Sequence, residues 1–423
     1  MVAAPVPVNA VVLVPLAQVL SSDTARSHHE RITHGAGRES PAQRRPVPGR
    51  AHLATAHQAR TPDRSDHRVG LDTQLHRPPA VVEPGTTEPF LDANGHQLPG
   101  SISQKLHVPV NGVQQGMVIR GKDASNPVLL WVHGGPGMPD YPLTQQYPTD
   151  LEDLFTVVWW DQRGAALSYD SDIPPDTMTI EQFIDDTLAV TDYLRQRFHQ
   201  DRIYILGHSW GSFIALQAAA RSPERYKAYL GMAQVVYQLE SEKIAYDYIL
   251  AAYRESGDID MVRELEAAPV TMTGGTPDAH LKVRDTAMHK LGIGTTHDMK
   301  SVITGIFLAS WRFRGYTLQE KEKVNLWRGR AFSRSFGLWD QLIRIDLRRT
   351  VPALQIPVYF LEGKYDYTAV TSLAKDYFEQ LQAPVKGFYV FDNSADEVDR
   401  GAAATDAVGS LTRYWSTGFM LEG

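Results

Sequence analysis

One stretch limits what this chain can fold into more than any other: Ile203-Tyr204-Ile205-Leu206-Gly207-His208-Ser209-Trp210-Gly211-Ser212. Apolar and β-favouring residues run straight into Gly-x-Ser-x-Gly, and a helix-suited run from Ser212 to Ala220 follows at once. Strand, sharp turn and helix form the context in which this pattern makes a nucleophile elbow. A serine held on so tight a turn needs neighbours without side chains, and Gly207 and Gly211 supply them. Without these flanks the pattern arises by chance and reads as an ordinary turn. With them, Ser209 is expected to be a nucleophile.

The surrounding chain repeats a β-α rhythm. His107-Val108-Pro109-Val110 and Val113 to Arg120 flank Asn111-Gly112, a two-residue hairpin turn. Pro127 to Val132 and Phe155 to Trp160 are continuous apolar runs, as expected of strands buried on both faces of a parallel sheet. They end in His133-Gly134-Gly135-Pro136-Gly137 and Asp161-Gln162-Arg163-Gly164. Thr179-Ile180-Glu181-Gln182 has capping-box spacing and opens a helix to about Phe198. A strand from Tyr226 to Met232 follows the elbow and its helix. From about Gln234 to Leu347 the period is helical, with helices expected at Ile244 to Tyr253, Met261 to Glu266 and Leu318 to Trp327. Strands resume at Val358 to Leu361 and Val385 to Phe391, with helices near Leu373 to Leu381 and Thr405 to Trp415. The expected fold class is therefore α/β: an open, mostly parallel sheet flanked by helices, with an inserted all-helical cap. The expected division is 1–84 as a disordered extension, 85–233 and 351–423 as two parts of the core, and 234–350 as the cap.

Composition sets the outer bounds. The first aromatic residue is Phe90, and the Arg-, His- and Pro-rich tail before it cannot bury enough surface to offset its ordering entropy. Its histidines (His28, His29, His34, His52, His57, His67, His76) lack metal-ligand spacing and read as a solvated basic tail. The apolar run from Val2 to Leu20 is too broken by proline to span a membrane. With no cysteine in 423 residues, disulfides and thiolate chemistry are excluded. The formal net charge of −7 and the lack of a nucleic-acid motif give no reason to expect a nucleic-acid partner. A cytoplasmic protein without cofactor or metal is expected; oligomeric state is not readable.

An acyl-transfer serine needs a base, an orienting acid and donors for the developing oxyanion. The backbone N–H of Trp210 and an amide at Gly134 or Gly135 are the expected donors. Asp366, in Leu361-Glu362-Gly363-Lys364-Tyr365-Asp366, follows a late strand and is the expected acid, although a helix cap is an equally ordinary role for Asp. The base should follow the acid in the chain, yet the last histidine is His297. The loop after the final strand reads Asn393-Ser394-Ala395-Asp396.

Together these motifs make residues 85 to 420 resemble the proline-iminopeptidase-like branch of the α/β-hydrolases. The marks are His133-Gly-Gly-Pro-Gly137, Asp161-Gln-Arg-Gly164, Gly207-His-Ser-Trp-Gly-Ser212, the Gly363-x-x-Asp366 loop, and a helical cap after the sixth predicted strand. The resemblance implies cofactor-free hydrolysis of an N-terminal residue, often proline, from a peptide, or of a related amide or ester. It implies Ser209 as nucleophile, Asp366 as acid, and Trp210 with Gly134 or Gly135 as oxyanion hole. The family usually reads Ser-Ala-His in the last loop, and here Asp396 stands in the histidine's place.

A carboxylate with an ordinary pKa of about 4 is a poor base at neutral pH and supplies no acid for the leaving amine. Beside Asp366 the two would repel and share a proton. Asp396 is an engineered inactivating change, a natural feature of a non-hydrolytic, ligand-binding descendant, or a sign that another group acts as base. His208 adjoins Ser209, but neighbours on a tight turn point apart. His280, His289 and His297 belong to the cap. Glu240 and Glu242 at the cap entrance are candidates for binding a substrate amine, against the plainer reading of solvated helix-face charges. Arg312 and Arg314 have no assigned role.

Overall fold

The computed structural model describes residues 85–146, 149–295, 297, 301, 313, 315–316, 321–392 and 394. The N-terminal extension (1–84), Arg312, Arg314, Asp396 and the expected C-terminal helix lie outside the described residues. Nine strands form one sheet: β1 (Gly85–Thr86), β2 (Ile102–Val110), β3 (Val113–Gly121), β4 (Val128–Val132), β5 (Thr156–Trp160), β6 (Ile203–His208), β7 (Tyr226–Met232), β8 (Val358–Gly363) and β9 (Lys386–Phe391). Their order is β1-β2-β3-β5-β4-β6-β7-β8-β9. β1 to β3 pair antiparallel, β3 joins β5 antiparallel, and every pairing from β5 through β4 to β9 is parallel.

The hairpin forms at Asn111-Gly112, with φ of 45° and 82°. These left-handed angles are what a type I′ turn demands. β4, β5, β6 and β8 are buried along their whole length, which is why they carry no polar alternation. The chain passes from β4 outward to β5, then returns to β6 on the other side of β4. That reversal is a topological switch point, where loops leaving the carboxyl ends of adjacent strands diverge and open a crevice.

The main helices of the core are α2 (Ile180–Arg197), α3 (Trp210–Arg221) and α10 (Thr371–Gln380). α1 (Tyr141–Gln146) is a short turn after β4. At the start of α2 half of the expected capping box is made. Thr179 accepts from the Gln182 N–H at 3.2 Å, while the Gln182 side chain turns away to Asp186 at 2.8 Å. α2 and α3 pack on each other, and α3 lies on β4, β6 and β7. Phe183, Trp210, Phe213, Ile214, Val358 and Phe360 belong to the resulting core.

Between β7 and β8 the described residues contribute no strand to the sheet. They form α4 (Gln238–Ser256), α5 (Ile259–Glu266), α6 (Asp278–Lys290), α7 (Glu322–Arg334), α8 (Leu338–Leu342) and α9 (Leu347–Thr350). α4 stops at Gly257, which takes φ 76°, while the Asp258 N–H returns to the Tyr253 carbonyl at 3.2 Å. Asp258 then caps α5 by accepting from the Met261 N–H at 3.1 Å. A second apolar cluster built on Tyr246, Ile249, Leu250, Met261, Leu265 and Met288 holds α4, α5 and α6 together. α7 seats on the core without side-chain spacers. A Cβ on Gly329 would lie 2.7 Å from the Gly164 carbonyl, and one on Gly137 would lie 2.7 Å from Ser333 Oγ.

Candidate active site

Ser209 stands between β6 and α3 with φ 51° and ψ −118°, a conformation of the kind that costs about 1–3 kcal/mol and persists only where the surroundings impose it. Its N–H donates to the Met232 carbonyl at 2.8 Å. Its carbonyl accepts from the Ser212 N–H at 2.8 Å and from Ser212 Oγ at 2.6 Å. A Cβ at Gly211 would lie 1.9 Å from the Val132 carbonyl, and one at Gly207 would lie 2.5 Å from the Gly211 carbonyl. Both glycines are therefore required by the closeness of β4, β6 and α3. Trp210 is the first residue of α3, where a backbone N–H has no intrahelical acceptor and the helix dipole favours negative charge.

The loop from His133 to Gly137 leaves β4 at the switch point beside the elbow. The buried His133 ring donates from Nδ1 to the Gly134 carbonyl at 2.7 Å and accepts at Nε2 from the Gln162 N–H at 3.0 Å. Those two bonds assign the neutral Nδ1–H tautomer. Burial keeps it neutral, pulling its pKa down to about 4 against the opposing pull of Asp140. Gln162 also donates from Nε2 to the His133 carbonyl at 2.7 Å and accepts from Trp210 Nε1 at 3.0 Å. The Asp161–Gly164 segment is thus a brace between the Gly134–Gly135 loop and the elbow helix. Arg163 completes it by a buried two-point pair with Asp186, at 2.8 and 2.9 Å.

His208 Nδ1 lies 3.0 Å from Asp140 Oδ2, which also accepts from Trp131 Nε1 at 2.8 Å. Burial works against the Asp140 carboxylate, yet the His208 charge and hydrogen bond hold its pKa below the usual range. Asp366 lies just past β8 and is 1% exposed. Its Oδ1 accepts from the N–H groups of Thr368 and Ala369 at 2.7 and 2.8 Å. Tyr365 N–H donates to the Ser394 carbonyl at 2.8 Å, so the chain following β9 runs beside the Asp366 loop as far as Ser394.

A cavity of about 590 Å³ is bounded by Ser209, His208, Gly134 and Gly135 on one side and by α6 and α7 on the other. It thus brings together the serine and the glycine loop. Thr368, two residues after Asp366, also reaches it. Glu240 and Glu242 do not line it. Glu242 is fully buried and accepts from Arg284 Nε and Nη2, both at 2.6 Å, and from Gln238 Nε2 at 2.9 Å. Glu240 pairs with Arg348 at 2.5 Å. The carboxylates that do border the cavity include Asp278, Asp285 and Asp340, with Arg284, Arg330 and Arg334 among the cations. No individual helix is expected from the sequence at α6, and the expected helix from Leu318 to Trp327 stops short of Arg330 and Arg334, whereas α7 runs from Glu322 to Arg334, so these residues carried no signal.

His280, His289 and His297 do not line the cavity either. His289 Nδ1 donates to the Asp285 carbonyl at 2.6 Å. His297 donates to the Gly292 carbonyl at 2.7 Å and stacks on Tyr365 with ring centroids 4.0 Å apart. No cluster suited to holding a metal ion occurs among the described residues.

Residues 127–395 match the family described as the alpha/beta hydrolase fold. The chain is 33% identical over 297 residues to a probable aminopeptidase of Bacillus subtilis, covering 70% of this chain and 91% of that protein. It belongs to the α/β-hydrolase family, in its proline-iminopeptidase-like branch. A proline iminopeptidase of Flavobacterium johnsoniae is 26% identical over 277 residues, covering 62% of this chain and 80% of that protein. The crystal structure of a proline iminopeptidase from Mycobacterium smegmatis shares the fold with a TM-score of 0.50 at 15% identity, over 74% of this chain and 98% of that one. As an α/β-hydrolase with relatives named as aminopeptidases, the chain is a hydrolase-type enzyme. None of its described helices is long and apolar enough to cross a membrane.

Proposed function

We propose that this α/β-hydrolase removes an N-terminal residue from a small peptide, or cleaves a related amide or ester, through Ser209. The conformation of Ser209 carries the reading: a serine at φ 51° between a buried strand and a helix N-terminus is the geometry that nucleophilic attack requires. Attack on the carbonyl places the developing negative charge near the N–H of Trp210 and the backbone of Gly134 and Gly135. Asp366, anchored by two backbone N–H groups, is the acid that would orient a base. The helices between β7 and β8 serve as the cap that encloses the substrate. The relatives named as aminopeptidase and proline iminopeptidase support a peptide substrate.

Asp396 stands where the family carries its histidine, and no histidine follows His297. Turnover is therefore expected to be low, since deletion of a triad member leaves only the catalysis supplied by the oxyanion hole and by binding. Asp396→His is expected to raise kcat/KM on prolyl and alanyl aryl amides and esters by about 10²-fold or more, in a manner abolished by Ser209→Ala. The missing imidazole also favours a second reading, a non-hydrolytic descendant, natural or engineered, that binds a peptide-like ligand in the same cavity. No gain in Asp396→His together with retained ligand binding would favour that reading and remove the first.

A further inference from the structure

α7 presents two arginines one turn apart, Arg330 and Arg334, to the cavity that holds Ser209. Residues four apart on a helix are neighbours, so their like charges repel. The acids beside them are shared: Asp285 acts on Arg330 and is itself acted on by both Arg284 and Arg334. Glu242 is saturated by Arg284, and Asp285 accepts from Arg284 Nη1 at 3.0 Å. Against the effect of burial, the Arg334 charge acts together with Arg284 to hold the Asp285 carboxyl down. Burial, reinforced by the Arg334 charge and opposed by Asp285, lowers the pKa of the Arg330 guanidinium. Between the two arginines Ser333 is fully buried, borders the same cavity, and its hydroxyl has no hydrogen-bond partner among the described residues. A buried donor without an acceptor costs about 1–3 kcal/mol, and an incoming anionic oxygen would remove that cost. Ser333 also touches the glycine loop, since a Cβ on Gly137 would lie 2.7 Å from its Oγ.

We propose that Arg330, Ser333 and Arg334 form an anion subsite for the free C-terminal carboxylate of a di- or tripeptide substrate. Guanidinium groups match a carboxylate in two-point geometry, and a serine hydroxyl adds a third donor. The cavity volume of about 590 Å³ suits an occupant of small-molecule size. The subsite deepens the peptidase reading, on which it rests for the identity of the occupant. It sets a specificity that reading does not contain, for short peptides with a free carboxylate over their amides.

The test uses the full-length chain carrying Ser209→Ala, with L-prolyl-L-alanine and L-prolyl-L-alaninamide as probes in titration calorimetry. The free acid is expected to bind on the order of tenfold more tightly, as for one charge-assisted contact. Arg334→Ala, an exposed position at the end of α7, is expected to abolish the difference by weakening the free acid more than the amide, and Arg334→Lys to restore part of it. Equal affinities, binding of neither probe, or a preference that survives Arg334→Ala overturns the subsite. The peptidase reading fails separately: a carboxylate preference that persists while Asp396→His shows no Ser209-dependent turnover keeps the subsite and removes the enzyme activity.

Discussion

Gln162 shows how much of the site depends on one side chain. Its amide links the His133 carbonyl to the Trp210 indole, and its own N–H fixes the His133 tautomer. Replacement by leucine, similar in size, leaves two buried polar groups without partners. Gln162→Leu is expected to lower stability by about 1–3 kcal/mol for each such group in urea unfolding. A loss under about 0.5 kcal/mol would show that the bridge does not hold the loop to the elbow. The serine and its glycines were legible in the sequence because the steric demand at 207, 209 and 211 is local. The part played by Gln162 was not, because its partners lie 29 and 48 positions away. The same holds for Glu242. Sequence marks it as an acid at the start of a helix, and only the position of Arg284 shows that its charge is already neutralised.

At the level of elements, strands were easier to read than helix limits. β4, β5 and β8 are buried on both faces, and that burial dictates continuous apolar runs. α4 begins at Gln238, six positions before the expected Ile244, because its first turns bury polar residues. Gln238, Ser241 and Glu242 are each at most 3% exposed, satisfied by hydrogen bonds and an ion pair that hydrophobic periodicity does not register. α2 depends on a similar polar junction. Asp186 accepts from Asn111, Gln115, Arg163 and Gln182, tying α2 to the hairpin and to the brace loop. Asp186→Ala is expected to cost about 3–5 kcal/mol, because it leaves the Arg163 guanidinium buried without its counter-charge. Arg163→Met in the same background should recover part of the loss; urea midpoints of the single and double variants decide it.

For the whole molecule, two buried groups in the core set opposing dependences on pH. Burial, with smaller contributions from Glu322 and Asp140, pushes Asp161 up to about 7 despite hydrogen bonds from Leu167 and Tyr316. Asp161 keeps its proton in the fold while the unfolded chain releases it near 3.8, so its contribution falls as pH rises from about 4 to about 7. His133 stays neutral in the fold down to about 4 while the unfolded chain protonates below 6.5, so its contribution rises across nearly the same interval. Each slope is at most about 1.4 kcal/mol per pH unit. In Asp161→Asn the first slope disappears and other groups cancel against the parent protein. The stability difference should therefore shift in the variant's favour as pH rises from about 4 to about 7. A pH-independent difference in unfolding free energy would show that Asp161 titrates normally.

The spacer-free seat of α7 has a consequence for redesign of the pocket. At Gly329 and Gly137 backbone and side-chain atoms of the neighbouring element already stand within 3 Å of any added Cβ. Those contacts fix how close the roof of the pocket can come to the glycine loop. Variation there would tilt the helix rather than reshape the chamber. Libraries aimed at new substrates should therefore leave the inner edge of α7 intact and draw their diversity from α6, where Leu281 and Lys282 face the same chamber.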